Sequence, residues 1–209
     1  MKLFLVSAIV GLLTFTSSYG QEKQQTGKPV TANWNKDTNE YANQIIPREI
    51  EYSGNNYQLT PIYLKRTAIS KLDNQPVVVA ICNVETVDGD KSALTYYLIN
   101  PKTNKLYPNG TAVITVKGCK LDIPAFTFKD VNNDGKDEFI FIKSYDDKCK
   151  GEYWIAADIT AIDRPRLESD LDNYLKLRNN TSLNRKIEKT DAATIQKTLE
   201  AVVKLEFGK

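Results

Sequence analysis

The sequence predicts a mainly β fold built of antiparallel sheets, propeller-like or sandwich, with two amphipathic helices in its C-terminal part. Three observations carry this expectation. From about Ile50 to Ile162, short β-branched and aromatic runs alternate with turn residues. Two of those runs, VVVAICNV at 77–84 and FIFI at 139–142, are apolar at nearly every position, as in strands covered on both faces. Beyond about residue 166 the apolar residues recur at helical spacing instead.

The chain begins with Met1-Lys2, a largely apolar stretch from Leu3 to Phe15, and then Ser18 and Gly20 at the −3 and −1 positions of a small-residue cleavage site. This pattern predicts a signal peptide at 1–20 and export to the periplasm or beyond. The apolar stretch is shorter than the roughly 20 residues a membrane span needs, and no later segment is long enough. Residues 21–45 read as a polar tail, with Trp34 and Tyr41 as possible docking points, and 46–209 as one β-rich domain whose helical part starts near 166.

Within that domain, strands are predicted at 50–52, 57–64, 77–84, 94–99, 112–116, 126–128, 139–143 and 153–159. Turns are expected at Gly54-Asn55-Asn56, Asp88-Gly89-Asp90, 100–104 and Pro108-Asn109-Gly110. Leu167, Leu171, Tyr174 and Leu175 mark the first helix. Ile195, Leu199 and Val202 mark the second, after a Thr190-Asp191 N-cap, and a basic, solvated connector lies between the two.

Composition narrows the chemistry. Apolar residues make up 41% of the 209 and charged residues 26%, enough for a packed core. The 28 basic and 26 acidic residues nearly cancel to +2, which gives no footing for nucleic acid as a partner. Histidine is absent, so Ser-His-Asp and Cys-His catalysis and His-ligated metal sites are excluded. Any enzyme here would have to work with carboxylates, Lys, Tyr or a hard cation.

One segment carries chemistry: FTFKDVNNDGKDEFIF, residues 126–141. Oxygen-bearing side chains fall at Asp130, Asn132 and Asp134, followed by Gly135, Asp137 and Glu138. Ca²⁺ takes about six to eight oxygens at roughly 2.3–2.6 Å, and alternate positions of a tight loop aim their oxygens at one centre. Gly135 permits the sharp turn, the Lys136 carbonyl completes the inner ring, and Glu138 closes it. Without an ion the loop would still be a good Asn-Asp-Gly hairpin turn, but a bare turn gives no reason for Asp130 or for the acids at 137 and 138. The spacing departs from an EF-hand, whose closing Glu would fall at the position of Phe141.

The loop resembles the D-x-[DN]-x-D-G-x-x-[DE] calcium loops of FG-GAP and VCBS-type repeats, which join two strands of a β-propeller blade. The resemblance implies Ca²⁺ held by Asp130, Asn132, Asp134, Glu138 and the Lys136 backbone, with Asp137 beside them. More loosely, size, export and a single such loop are similar to periplasmic calcium-binding β-propeller inhibitors of lysozyme-type hydrolases, which act as immunity proteins. That likeness implies a non-enzymatic role in binding a protein of the cell envelope. The alternatives are a carboxylate-based envelope hydrolase with structural calcium, or a surface adhesion module.

The three cysteines are Cys82, Cys119 and Cys149. In a regular hairpin centred on Asp134, Cys119 and Cys149 are equidistant from the centre, which predicts a disulfide closing the arms and a buried free Cys82. Cys82 paired with either of the others remains the competing connectivity. A second acidic cluster at Glu85, Asp88 and Asp90 reads as a charged turn, and Asp146-Asp147 as either an outer ion ligand or an exposed turn.

Overall fold

The computed structural model describes residues 38–51, 59–85, 91–147, 149–162, 164–188 and 191–208. The expected signal peptide, Trp34 and the turns at 54–56 and 88–90 lie outside the described residues. The elements run α1 (Thr38–Ile45), β1 (Glu49–Glu51), β2 (Leu59–Leu72), β3 (Gln75–Val84), β4 (Lys91–Asn100), β5 (Lys105–Lys129), β6 (Glu138–Asp147), β7 (Tyr153–Thr160), α2 (Glu168–Asn179), β8 (Arg185–Ile187) and α3 (Ala192–Phe207). Every strand pairs antiparallel with its neighbour in sequence, in the order β1 to β8. The antiparallel β class with two C-terminal helices is as expected.

The strand β5 organises the whole. Its first half pairs with β4 as far as Lys117, and its second half pairs with β6 from Gly118 onward. Register shifts between Gly118 and Leu121, and again between Asp122 and Ala125, mark bulges that let the strand bend from one sheet into the other. Pro124, which has no N–H to give a ladder, sits in the second shift.

Alternation along the strands sorts side chains into three cores. Between the two sheets lie Val77, Val79 and Ile81 of β3, Tyr96 and Leu98 of β4, and Phe139 and Phe141 of β6. The opposite face of β3 and β4 (Val78, Ala80, Cys82, Tyr97) packs under Ala42 and Ile46. The opposite face of β6 and β7 (Ile140, Ile142, Ile155, Ile159) packs under Leu177, Ile195, Leu199 and Val203. The two uniformly apolar runs are therefore covered on both faces, as their composition predicts. Phe139 stacks on Phe141 at 5.1 Å and meets Tyr96 at 4.8 Å, so aromatic packing ties β4 to β6.

Several elements differ from expectation, each for a local reason. Residues 38–45, placed in the polar tail, form α1 because Ala42, with Ile46 just beyond, supplies an apolar contact for the outer face of β3. Pro108-Asn109-Gly110 is not a turn but part of β5. Tyr97 pairs with Thr111 while Ile99 pairs with Leu106, so the extra residues bulge opposite Leu98. Gly110 is required there, since a Cβ would lie 2.9 Å from the Tyr107 carbonyl oxygen. A tight β2–β3 turn forms at Asp73 and Asn74, with φ of 48° and 59°, a left-handed pair that Asp and Asn tolerate. The expected basic connector contains β8, which extends the sheet beside β7, and the Asn184 side chain accepts the Ala157 N–H at 3.1 Å.

Helix α3 follows its pattern: Asp191 caps it by accepting the Thr194 N–H, Ile195, Leu199 and Val202 are buried, and Gly208 ends it at φ 68°. Its Gln196 has a further task. Beyond Lys117 β4 no longer accompanies β5, and Gln196 accepts the Phe126 N–H and donates to the Phe126 carbonyl, closing the exposed edge of β5 with one amide. Helix α2 is turned away from its leucines. Leu167, Leu171 and Leu175 are exposed, and the helix instead buries Asp170, Asn173 and Leu177.

Candidate metal centre

The loop between β5 and β6 opens after the pair Lys129 and Glu138. Asn133 (φ 64°) and Gly135 (φ 85°) take left-handed conformations that turn the chain sharply. No atom lies near the position of a Gly135 Cβ, so its role is backbone conformation, not close packing. The turn points its N–H groups at acidic oxygens. Asp130 accepts from Asn133 at 2.7 Å, Asp134 at 3.2 Å and Gly135 at 3.1 Å. Asn132 Oδ1 accepts the Asp134 N–H at 3.0 Å, and Asp134 Oδ1 accepts the Lys136 N–H at 2.9 Å. The backbone thus holds Asp130, Asn132 and Asp134 in one small arc.

Glu138 lies beneath that arc with 0% exposure. One of its oxygens accepts the Val131 N–H at 2.9 Å, and the other meets the Asn132 amide and the Arg164 guanidinium. Arg164, from the segment after β7, enters the cluster with three sides engaged: Nε lies 2.9 Å from Asp134 Oδ2, Nη1 lies 2.9 Å from Asp170 Oδ2, and Nη2 contacts Glu138. Asp170 comes from the first turn of α2, where it also accepts the Leu167 N–H at 2.8 Å and the Asn132 amide at 2.6 Å. Asn173, one turn on, donates to the Val131 carbonyl at 3.2 Å. Helix α2 buries polar side chains because they hold this loop.

Electrostatics sharpen the picture. Burial drives the Glu138 carboxyl up to about 7, and the Asp170 and Asp134 charges add to that effect against the pull of the Val131 N–H and Arg164. Burial acts on Asp170 in the same sense, but Arg164, the Leu167 N–H and Asn132 outweigh it and leave the carboxyl below its ordinary value. Burial opposes the Arg164 charge, yet Asp170, Glu138 and Asp134 together raise its pKa. Asp134, Asp170 and Glu138, whose ionisation burial opposes, thus share one guanidinium.

Of the six residues expected to line an ion site, the fold brings Asp130, Asn132, Asp134 and Glu138 together. Lys136 contributes its N–H to Asp134, and its side chain is exposed. The Asp137 carboxylate accepts the Asp73 N–H at 2.7 Å, which ties it to the β2–β3 turn. Asp146 accepts the Gly151 N–H in the turn after β6, and Asp147 belongs to that same turn. Eight residues of extended strand, roughly 26 Å, separate Asp146 from Glu138, which removes the pair as outer ligands. Glu85 accepts from the Tyr63 hydroxyl, while Asp88 and Asp90 lie outside the described residues. Arg164, Asp170 and Asp73 were not anticipated, because each reaches the loop from a distant part of the chain and carries no motif.

The donor set is hard oxygen and suits Ca²⁺ by chemistry. Its present spacing suits a guanidinium: among the described residues, no three acidic, cysteine or histidine side chains converge as a metal group. Arg164 lies between Asp134, Glu138 and Asp170.

At the far end of the hairpin, Cys149 is disulfide-bonded and Cys82 is a buried free thiol. The symmetric arithmetic that set Cys119 across from Cys149 does not hold for the backbone. The two register shifts put Asp147 opposite Gly118, so Cys149 falls past the paired residues, in the turn, at φ 61°. The Cys119 side chain lies outside the described residues. Among the described residues no helix is long and apolar enough to cross a membrane. No family model, curated protein or solved structure matches the chain.

Proposed function

We propose that this chain is an exported, non-enzymatic calcium-binding β protein that recognises a protein of the cell envelope, with a lysozyme-like hydrolase as the partner class and inhibition or immunity as the role. The observation that carries the calcium part is the arc of Asp130, Asn132 and Asp134 over buried Glu138, which already gathers positive charge. Asp130, Asn132, Asp134 and Glu138 would hold the ion, with the Lys136 carbonyl completing the ring, and the ion would fix the β5–β6 hairpin. A Cys119–Cys149 disulfide would fasten the other end of the same hairpin. The partner class rests on the loop's resemblance alone.

A thermal melt in calcium and in chelator tests the first part: an ion at 100 times its Kd adds about 2.7 kcal/mol if it binds only the folded state. An equal rise in the Asp130→Ala variant, or no rise in the native protein, overturns it. Assay of a lysozyme-class enzyme on cell-wall substrate, with and without this protein, tests the second; undiminished hydrolysis at saturating protein rejects that partner class.

One feature favours a hydrolase instead. Glu138 and Asp170 are neighbouring carboxyls whose pKa values move in opposite directions, a pattern that suits an acid and a base. Against it, Glu138 is 0% and Asp170 2% exposed, so a polymer would not reach them.

A further inference from the structure

We infer that Arg164 is a tethered competitor for the divalent ion, so that calcium enters only as the guanidinium leaves and binding is thereby coupled to the segment leading into α2. This rests on the calcium reading proposed above and deepens it. Arg164 is itself a cation, 11% exposed, in contact with two of the expected ligands, Asp134 and Glu138. Glu138 cannot present that oxygen to a metal while the guanidinium holds it, and Asp134 Oδ2 is engaged in the same way. Two positive groups sharing those oxygens would also repel at short range.

Displacement has a defined consequence. Arg164 joins the loop to Asp170, the acid whose other oxygen contacts reach Asn132 and the Leu167 N–H at the start of α2. Removing the guanidinium leaves Asp170 buried beside the ion's negative ligands, and the attachment of the 164–168 segment weakens. Calcium would therefore order residues 130–138 and loosen residues 164–168 in one exchange. Reciprocity follows: whatever holds Arg164 in place lowers calcium affinity by the same factor as calcium loosens Arg164.

The test is calorimetric titration of CaCl₂ into the full chain and into Arg164→Gln, together with hydrogen exchange of the native protein with and without calcium. The expected result is calcium binding by the native chain and roughly tenfold or greater tightening in Arg164→Gln, within the usual span of coupling between sites. Native exchange should slow in 130–138 and quicken in 164–168 on adding calcium. If Arg164→Gln binds calcium no tighter, or if 164–168 is equally or better protected with calcium, the competition is overturned while the calcium site stands. If neither protein takes up calcium, the calcium reading itself falls and the inference with it. The native exchange data decide the matter even where Arg164→Gln folds poorly.

Discussion

Asp73 and Asp137 exchange hydrogen bonds in both directions: each carboxylate accepts the other's backbone N–H at 2.7 Å, across 64 residues of sequence. The β2–β3 turn is thereby clipped to the β5–β6 loop. Replacing Asp137 with Ala removes one half of the clip and should lower stability by about 1 kcal/mol, the net value of an accessible hydrogen bond. The double variant with Asp73→Ala should lose less than the sum of the single changes, a coupling that a denaturant-unfolding cycle reads directly. If calcium binds as proposed above, Asp137→Ala should leave its affinity unchanged, because that carboxylate accepts the Asp73 N–H; a marked loss would place Asp137 among the ligands.

The bend of β5 supplies a pH dependence. Asp122 lies 3.1 Å from both Lys65 and Arg66 of β2, and Arg66 also donates to the Ile123 carbonyl. Burial opposes ionisation of Asp122, but Arg66 and Lys65 outweigh it and hold the carboxyl below its ordinary value. A pKa lower in the folded than in the unfolded chain contributes stability above the unfolded value and loses it as pH falls through the folded one. Asp122→Asn should therefore cost about 1 kcal/mol at neutral pH and almost nothing in strong acid. Denaturant midpoints at the two pH values check it; an equal loss at both would mean that the charge is not the cause.

Gly110 is a steric requirement of the β5 bulge. An added methyl would meet the Tyr107 carbonyl oxygen and Cβ at 2.9 Å and Leu98 Cβ at 3.0 Å, and backbone cannot step aside as a flexible side chain can. Gly110→Ala should cost about 1–3 kcal/mol, as overpacking of a filled site does. Thermal unfolding reads the effect, and a variant as stable as the native chain would show that the bulge rearranges freely.

The cysteines give a chemical check. Burial pushes the Cys82 thiol up to about 12, so almost no thiolate forms at neutral pH and the native protein should resist thiol reagents. After unfolding without reductant, one thiol per chain should react, and peptide mapping should find Cys119 joined to Cys149. A Cys82-containing disulfide peptide, or fast labelling of the folded protein, would contradict this assignment.

The parts of the fold legible in the sequence are those governed by local pattern. VVVAICNV and FIFI declare two buried faces because all positions but Asn83 are apolar, and Asp191 with Ile195, Leu199 and Val202 declares a capped helix. The continuity of β5 was hidden by Pro108-Asn109-Gly110 and Pro124, residues that usually end a strand but here sit in bulges that bend it. The inward face of α2 was hidden for a different reason. Leu171 and Leu175 follow helical spacing, yet Asp170 and Asn173 win the interior because Arg164, Asn132 and the Val131 carbonyl bind them. The loop oxygens at 130, 132, 134 and 138 were readable from spacing. The guanidinium among them was not, since ion pairs made across 26 and 30 residues leave no periodic trace.

A strand that belongs to both sheets also governs how the molecule comes apart. Strand β5 gives its first half to β4 and its second to β6, and the core between the sheets draws residues from both partners. No peptide bond along it can be cut to yield two self-sufficient pieces, because either fragment would keep an orphaned half-ladder and half of a shared interior. Heat or denaturant should then meet a single cooperative body, with the Arg164 ion pairs lost in the same transition as both sheets.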